Sequence, residues 1–547
     1  MMLVSRRWLA AFALVGLAAT AACDDDPSGV NLVPPSGVTA TATGPRSVRV
    51  TFAAVSGADS YVVQRAGTGA FATVGTPTTP AYDDTNLVTA TQYRYRVAAV
   101  AGGDTSAFSS EVTVQTTNAP QVTLTADITT DRRFSADTTY VLGSFIHVAN
   151  GATLTIDAGT RVEGNPGSAL FILRGARIRA MGTADRPIVM SSNRAVGQRQ
   201  PGDWGGLIIV GNGVINRGDP VILEGTNTGA TNPSVNYAGG NNNADNSGEL
   251  HYVRIEFAGF GPAPDQELNS LTLAAVGSGT QIDHVQALAG LDDSFEWFGG
   301  AVDAKYLVSY EAGDDHFDAA EGYVGRNQFL IAMQSTVIPP RAGAGNTSND
   351  PQGFEVDGCA GANCLNGQAS QPFTIPVFAN FTMVGTGPGV VPAAGGRGAV
   401  LRRGAGGFYV NGIFARWPAA ALSIRDASTD ARTAAGDLGI RNVLSVENGT
   451  LFEAGAGQFS LDATANALEV SPVTAAGVFT TFNVAQGTAG LDWQPSATSP
   501  ARTGGLATFT GALATRSGTF VAGTSYRGAA DPSGARWWAG WTSYGRN

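Results

Sequence analysis

DDSFEWFGGAV, running from Asp292 to Val302, returns 22 residues later as DDHFDAAEGYV, from Asp314 to Val324. Asp292, Asp293, Phe295, Glu296, Gly300 and Val302 recur in register as Asp314, Asp315, Phe317, Asp318, Gly322 and Val324. The repeat carries strand-forming residues and Gly-marked turns instead of helical heptads. A period of that length is what one coil of a parallel β-helix gives. Equivalent residues of successive coils stack at the strand spacing of ~4.8 Å, so the echo predicts columns of carboxylates along one edge of a solenoid. Gly353-Phe354-Glu355-Val356-Asp357 reads as a third layer after a coil lengthened by insertion.

Two carboxylates ~5 Å apart repel by about 3 kcal/mol at an effective dielectric of 20, and by less than about 1 kcal/mol in water. Such a column therefore needs a cation, a protonated member or full exposure. Ca²⁺, with oxygen ligands in flexible geometry, meets that need. The candidate ligands are Asp292, Asp293, Glu296, Asp314, Asp315, Asp318, Glu355 and Asp357. The competing reading is a row of turn aspartates held by hydrogen bonds or water.

Working outward, coils are legible from Tyr140-Val-Leu-Gly and Ser168-Ala-Leu-Phe-Ile through Asn269-Ser-Leu-Thr-Leu to Gly406-Gly-Phe-Tyr-Val. Short strands with Gly turns and no intervening helices continue from 118 to 547, enough for on the order of a dozen coils. Two stretches, Thr226 to Gly248 and Ile338 to Gly353, are too polar and Gly-rich for core and read as loops that carry binding. The C-terminal Trp537, Trp538 and Trp541 read as an aromatic cap on the open end of the last coil, or alternatively as a sugar-stacking platform.

Residues 34–117 are different: short alternating strands such as SVRVTFAAV, SYVVQRAG and QYRYRVAAVAG suit a sandwich of the immunoglobulin type. The run from Leu87 through Tyr93 and Tyr95 to Val97 resembles the late strands of a fibronectin type III domain, with Tyr93 in the tyrosine-corner position. Phe52 stands where that family usually has Trp. The resemblance implies a spacer or weak binding module.

The first residues carry Arg6 and Arg7, an apolar run from Trp8 to Val15, and small residues ending in Ala21-Ala22-Cys23. They read as an export leader over 1–22, too short to be a spanning helix with its own flanks. Ala-Ala-Cys resembles the bacterial lipobox, which implies lipidation of Cys23, an acidic tether over 23–33, and a membrane-anchored, exported protein of the outer membrane or cell surface. Cys359 and Cys364 are spaced for a local disulfide in an oxidising compartment. The four histidines, His147, His251, His284 and His316, form no ligand motif in sequence. A net charge of −11 excludes the basic stripe that a nucleic-acid partner calls for.

At PGDWGGLIIVGNGVINRG, SGELHYVRIEFAGF, QGFEVDG and the DDSFEWFGG string, the chain resembles a family of bacterial cell-surface lipoproteins of unassigned activity. That resemblance implies a right-handed, pectin-lyase-like β-helix without implying lyase chemistry. The fold expected is thus all-β, a fibronectin type III sandwich followed by a long parallel β-helix. The function expected is non-catalytic binding or adhesion to glycan or matrix. A calcium-dependent polysaccharide lyase or glycoside hydrolase is one alternative; self-association into a surface layer or filament is another. Gly313-Asp314-Asp315 is similar to one fragment of the polygalacturonase pattern, but that family's His-Gly and Arg-Ile-Lys segments have no match. For a lyase the available bases are Lys305, Arg254 and Arg326, none of them oriented by sequence toward the acidic column. No catalytic residue is assigned.

Overall fold

The computed structural model describes residues 32–229, 232–264, 266–391, 395–461 and 468–545. The leader, Cys23 and the acidic residues after it lie outside the described residues. Two compact units divide the chain, Met1–Ala119 and Pro120–Asn547. Among the described residues, no helix is long and apolar enough to cross a membrane.

The first unit is a sandwich of two antiparallel sheets. Strands Thr39–Gly44, Ser47–Thr51 and Ala81–Asp84 face a sheet built on Ser60–Ala66 and Gln92–Ala101. Alternation puts Val48, Val50, Tyr61, Val63, Tyr95 and Val97 inside. The Phe52 ring fills its place against Tyr61 at 4.6 Å. The Val88 N–H donates to the Tyr93 hydroxyl at 3.0 Å, the corner bond read from sequence.

In the second unit successive coils add strands in parallel register, giving among the described residues one sheet of seventeen strands and one of ten, the latter closed by Gln458–Phe459, which pairs antiparallel with Ala420–Arg425. The ten-stranded sheet includes Leu271–Ala274, Phe295–Phe298, Phe317–Ala320, Gln352–Asp357, Arg397–Arg402 and Ala420–Arg425 as successive neighbours. Its inward column runs Leu271, Phe295, Phe317, Phe354, Ala399 and Leu422. Phe295 stacks on Phe317 at 5.2 Å, and Phe317 lies 5.6 Å from Phe354. Each such ring pair contributes about 0.5–1.5 kcal/mol beyond its buried area.

In the middle coils of the larger sheet, strands run longer than expected, as in Gly248–Glu256, Gln281–Leu288, Asp303–Tyr310, Arg326–Met333 and Val377–Val384. Each turns a corner without leaving the sheet, at one residue with positive φ: Tyr252, His284, Tyr306, Phe329 and Asn380. Asn411 and Asn442 hold the same conformation in the next coils, between Gly407–Val410 and Ile413–Ala415 and then between Leu438–Arg441 and Val443–Val446. Asn tolerates this left-handed region; aromatic residues there cost about 1 kcal/mol or more. Their stacking offsets that cost: Tyr252 on His284 at 4.2 Å, His284 on Tyr306 at 4.5 Å and Tyr306 on Phe329 at 5.0 Å.

Two expectations need correction. The solenoid does not continue to the C-terminus: its last parallel strand is Leu468–Val470. The chain after it runs back along the flank as a strap. Val308, Tyr310, Ile331, Met333, Val384 and Ile413 point outward from the sheet and need cover, which Phe479, Trp493, Trp538, Trp541 and Tyr544 supply. Glutamine and asparagine side chains fasten the strap: Gln286 exchanges bonds with Ser543 (2.8 and 2.7 Å), and Gln328 with Ala522 (3.2 and 2.7 Å). The tryptophans therefore cap a side of the solenoid and not its end. Short helices also interrupt the strands, among them Ala427–Ala434, N-capped by Asp426.

Candidate functional site

The offset of 22 residues is the strand register itself. Glu296 pairs with Asp318, and Asp318 with Glu355, so the insertion lengthens that coil without breaking the column. Each of these residues follows an inward phenylalanine and precedes an inward Trp297, Ala319 or Val356, which is why the side chains face out.

Just before these strands a second column forms on the turn. The Asp293 N–H donates to Asn269 Oδ1 (3.1 Å), the Asp315 N–H to Asp293 Oδ1 (2.8 Å), the Gln352 N–H to Asp315 Oδ1 (2.6 Å) and the Arg397 N–H to Gln352 Oε1 (2.8 Å). One oxygen of Asp293 and one of Asp315 are thus committed to neighbouring coils, as the turn-aspartate reading requires. Their other oxygens remain at the column.

Three overlapping triads result: Asp292, Asp293 and Asp314; Asp293, Glu296 and Asp318; and Asp315, Asp318 and Glu355, each with one ligand atom per residue lying within 4.8 Å of the others. Burial raises all seven carboxyl groups, and repulsion from neighbouring carboxylates adds to it: Asp314, beside Asp350 and Glu267, is pushed up to about 6, held back by Ser348, and Glu355, beside Asp357 and Asp314, to about 7, held back by Arg402. Asp292, Asp293, Glu296, Asp315 and Asp318 rise well above the usual carboxylate range for the same causes. Asp318 Oδ1 is buried without a hydrogen-bond partner. An all-oxygen donor set with an orphaned buried carboxylate oxygen fits a hard divalent cation such as Ca²⁺.

Asp357 does not belong to the set. Arg402 Nε donates to it at 2.7 Å and Arg403 also pairs with it, so its charge is already neutralised. Arg402 reaches Glu355 as well, closing that end of the column.

None of the candidate bases approaches the column. Lys305 places its ammonium 4.6 Å over the Phe520 ring, Arg326 pairs with Asp303 at 2.5 Å, and Arg254 pairs with Glu256 at 3.0 Å. Arg402 is held above its ordinary pKa by Asp357 and Glu355, against the desolvation that lowers it, and so stays protonated. His316 lies in a fully buried set with Ser294 and Ser309, where desolvation lowers it to about 3. Without access to solvent this is a core network.

Beside the column, the first insertion is more core-like than its composition implied. Its Val235, Tyr237 and Ala238, with Val221 and Leu223 just before it, pack on outward residues Phe145, Phe171, Ile208 and Val210. Between insertion and sheet lies a cavity of about 450 Å³, lined in part by Arg217, Glu224, Tyr237, Phe298 and Glu321. The second insertion donates from Ser348 N–H to Gly313 O at 3.0 Å and anchors Arg341 on Asp203 at 2.7 Å. Cys359 and Cys364 form a disulfide.

The sugar-stacking reading of the tryptophans fails on burial: Trp538 is 3% and Trp541 1% exposed. Trp537, half-buried, donates its indole N–H to Ala529 O at 2.9 Å. Sequence reading also missed a meeting of histidines. His251 pairs in register with Asp283, and His284 follows it, so all three side chains converge. Only knowledge of the strand register, 32 residues for that coil, would have found it.

Fold and site together define a two-domain, all-β protein with an acidic solenoid edge. Residues 126–494 match the family described as pectate-lyase like beta helix domain, and the chain belongs to that family. Residues 33–115 match the fibronectin type III domain. No curated protein matches the chain. Among solved structures, a Fn3-like protein from Clostridium thermocellum aligns at 32% identity over 16% of this chain and 93% of that one, with a TM-score of 0.15. Titin kinase and its flanking domains align at 25% identity over 16% of this chain, also with a TM-score of 0.15. This chain spans 17% of that titin structure and 32% of the titin A168–A170 structure. The pairing of a β-helix with a fibronectin type III domain points to a surface or carbohydrate-related protein.

Proposed function

We propose that this protein is a non-catalytic bacterial surface lipoprotein, anchored through Cys23 to the cell envelope, whose β-helix presents an edge loaded with Ca²⁺ for binding glycan or matrix. The observation that carries the reading is the combination at the ladder. Carboxylates gather with an unpartnered buried oxygen at Asp318, while Lys305, Arg326 and Arg254 are engaged elsewhere. A lyase needs a base beside the metal to take the proton α to a uronate. The guanidinium groups paired at the ladder, Arg402 and Arg403, are bound to carboxylates. Phe295, Trp297 and Phe317 lie sealed beneath the edge, as expected of a scaffold. Ca²⁺ would supply charge neutralisation and a bridging point for an anionic or hydroxylated ligand, held by Asp292, Glu296, Asp314, Asp318 and Glu355 with the remaining oxygens of Asp293 and Asp315.

Calorimetric titration of Ca²⁺ into protein beginning at Asp24, repeated with Asp293→Asn and Asp315→Asn and followed by a screen of uronate polymers for unsaturated products, tests the proposal. Binding weakened by both substitutions, without products, is the expected result. Product formation would reassign the protein as a lyase, and absence of binding at millimolar Ca²⁺ would reduce the ladder to turn chemistry. Lipidation is checked separately, by mass spectrometry of the native N-terminus and its loss in Cys23→Ser.

A further inference from the structure

We propose that His251, Asp283 and His284 form a second metal site, selective for a borderline transition dication such as Cu²⁺ or Zn²⁺. Strand register sets His251 directly beside Asp283. His284 would ordinarily face the opposite side from Asp283, because side chains alternate along a strand. Its φ of +51° breaks the alternation at the corner and brings the imidazole to the same outer side. The same left-handed corner recurs at Tyr252, Tyr306 and Phe329 in the neighbouring coils, so the solenoid itself imposes this placement on the side chain at 284.

Both imidazoles direct Nδ1 at the same oxygen, Asp283 Oδ1, His284 from 2.7 Å. The three ligand atoms lie within 4.8 Å of one another. Metal–nitrogen bonds of about 2.0–2.1 Å set neighbouring ligand atoms about 3 Å apart, a spacing reached by a small outward movement of the carboxylate. The rings are already fixed. His284 is sandwiched between Tyr252 and Tyr306, with Trp541 edge-on at 5.8 Å, and His251 meets Tyr252 at 4.7 Å. Lys305, the register partner of Asp283 on the following strand, turns its ammonium over Phe520 instead. Two imidazoles and one carboxylate are a donor set that prefers Cu²⁺, Zn²⁺ or Ni²⁺ to Ca²⁺, the opposite of the all-oxygen ladder. The site stays partly open, since His251, Asp283 and His284 retain 34%, 38% and 14% of side-chain exposure, leaving room for water or an exogenous ligand.

The test uses untagged protein lacking only residues 1–23, titrated with Cu²⁺ alone and with Zn²⁺ alone. One equivalent should bind, with nitrogen superhyperfine splitting from two imidazoles in the Cu²⁺ EPR spectrum. His284→Asn retains the corner, because Asn occupies that column at 380, 411 and 442. It should leave one nitrogen and weaken binding at least about tenfold. His251→Gln should do the same, and Asp318→Asn should change neither quantity. Affinity unchanged in both histidine variants, binding lost in Asp318→Asn instead, or no binding below about 100 μM metal would overturn the proposal.

Discussion

At the scale of single residues, Asp318 concentrates the electrostatic problem of the ladder. It belongs to two triads and carries a buried oxygen without a partner. In the metal-free protein Asp318 must either hold a proton or bury a charge beside other carboxylates, and Asp318→Asn removes that cost, which should stabilise the protein at pH 7 by about 1–3 kcal/mol while weakening Ca²⁺ binding. Chemical denaturation in chelator and calorimetry give the two readouts, and a destabilised variant would contradict the repulsion argument. The pH dependence follows with a definite sign. Asp314 at about 6 and Glu355 at about 7 hold protons more tightly than carboxylates of the unfolded chain, near about 4. Their contribution to stability is full below about pH 4 and is lost as the pH rises through 6 and 7. In chelator, the thermal midpoint of the native protein should therefore fall more steeply between about pH 4.5 and 7.5 than that of Asp314→Asn. Ca²⁺, which binds the ionised form, should flatten the difference.

Among the elements, the strap explains why the tryptophans are where they are. Sequence places them together at the C-terminus; apolar residues facing outward from the larger sheet decide what they cover. Trp541→Ala removes a fully buried ring from that contact and should cost about 3–5 kcal/mol, whereas Trp537→Ala, at a half-buried ring, should cost markedly less. Equal losses measured by denaturant unfolding would mean that the strap is not seated on the sheet as described. The corner column teaches a related lesson. Asn380, Asn411 and Asn442 announce a left-handed turn by residue type, but Tyr252, His284, Tyr306 and Phe329 do not, and stacking makes their conformation affordable. Two strands that sequence reading would separate at a turn are thereby fused into one.

For the whole molecule, two compact units predict two unfolding transitions in scanning calorimetry. Ca²⁺ should raise only the transition of the β-helix unit, because the acidic triads all lie within it. A single transition, or a shift of both by Ca²⁺, would show coupling between the units. Much of this architecture was legible from the chain. The repeat at 292 and 314 determined the coil period, the inward aromatic column and the outward acidic one, because parallel stacking turns sequence offset directly into register. The tyrosine corner likewise followed from Tyr93 and its neighbours. Coil length elsewhere varies with insertions, so no fixed offset links His251 to Asp283 or Arg402 to Glu355 and Asp357. Those meetings, the neutralisation of Asp357 and the lateral path of the strap were decided only by tertiary structure. Local pattern fixes which face a side chain takes, and long-range packing fixes what it finds there.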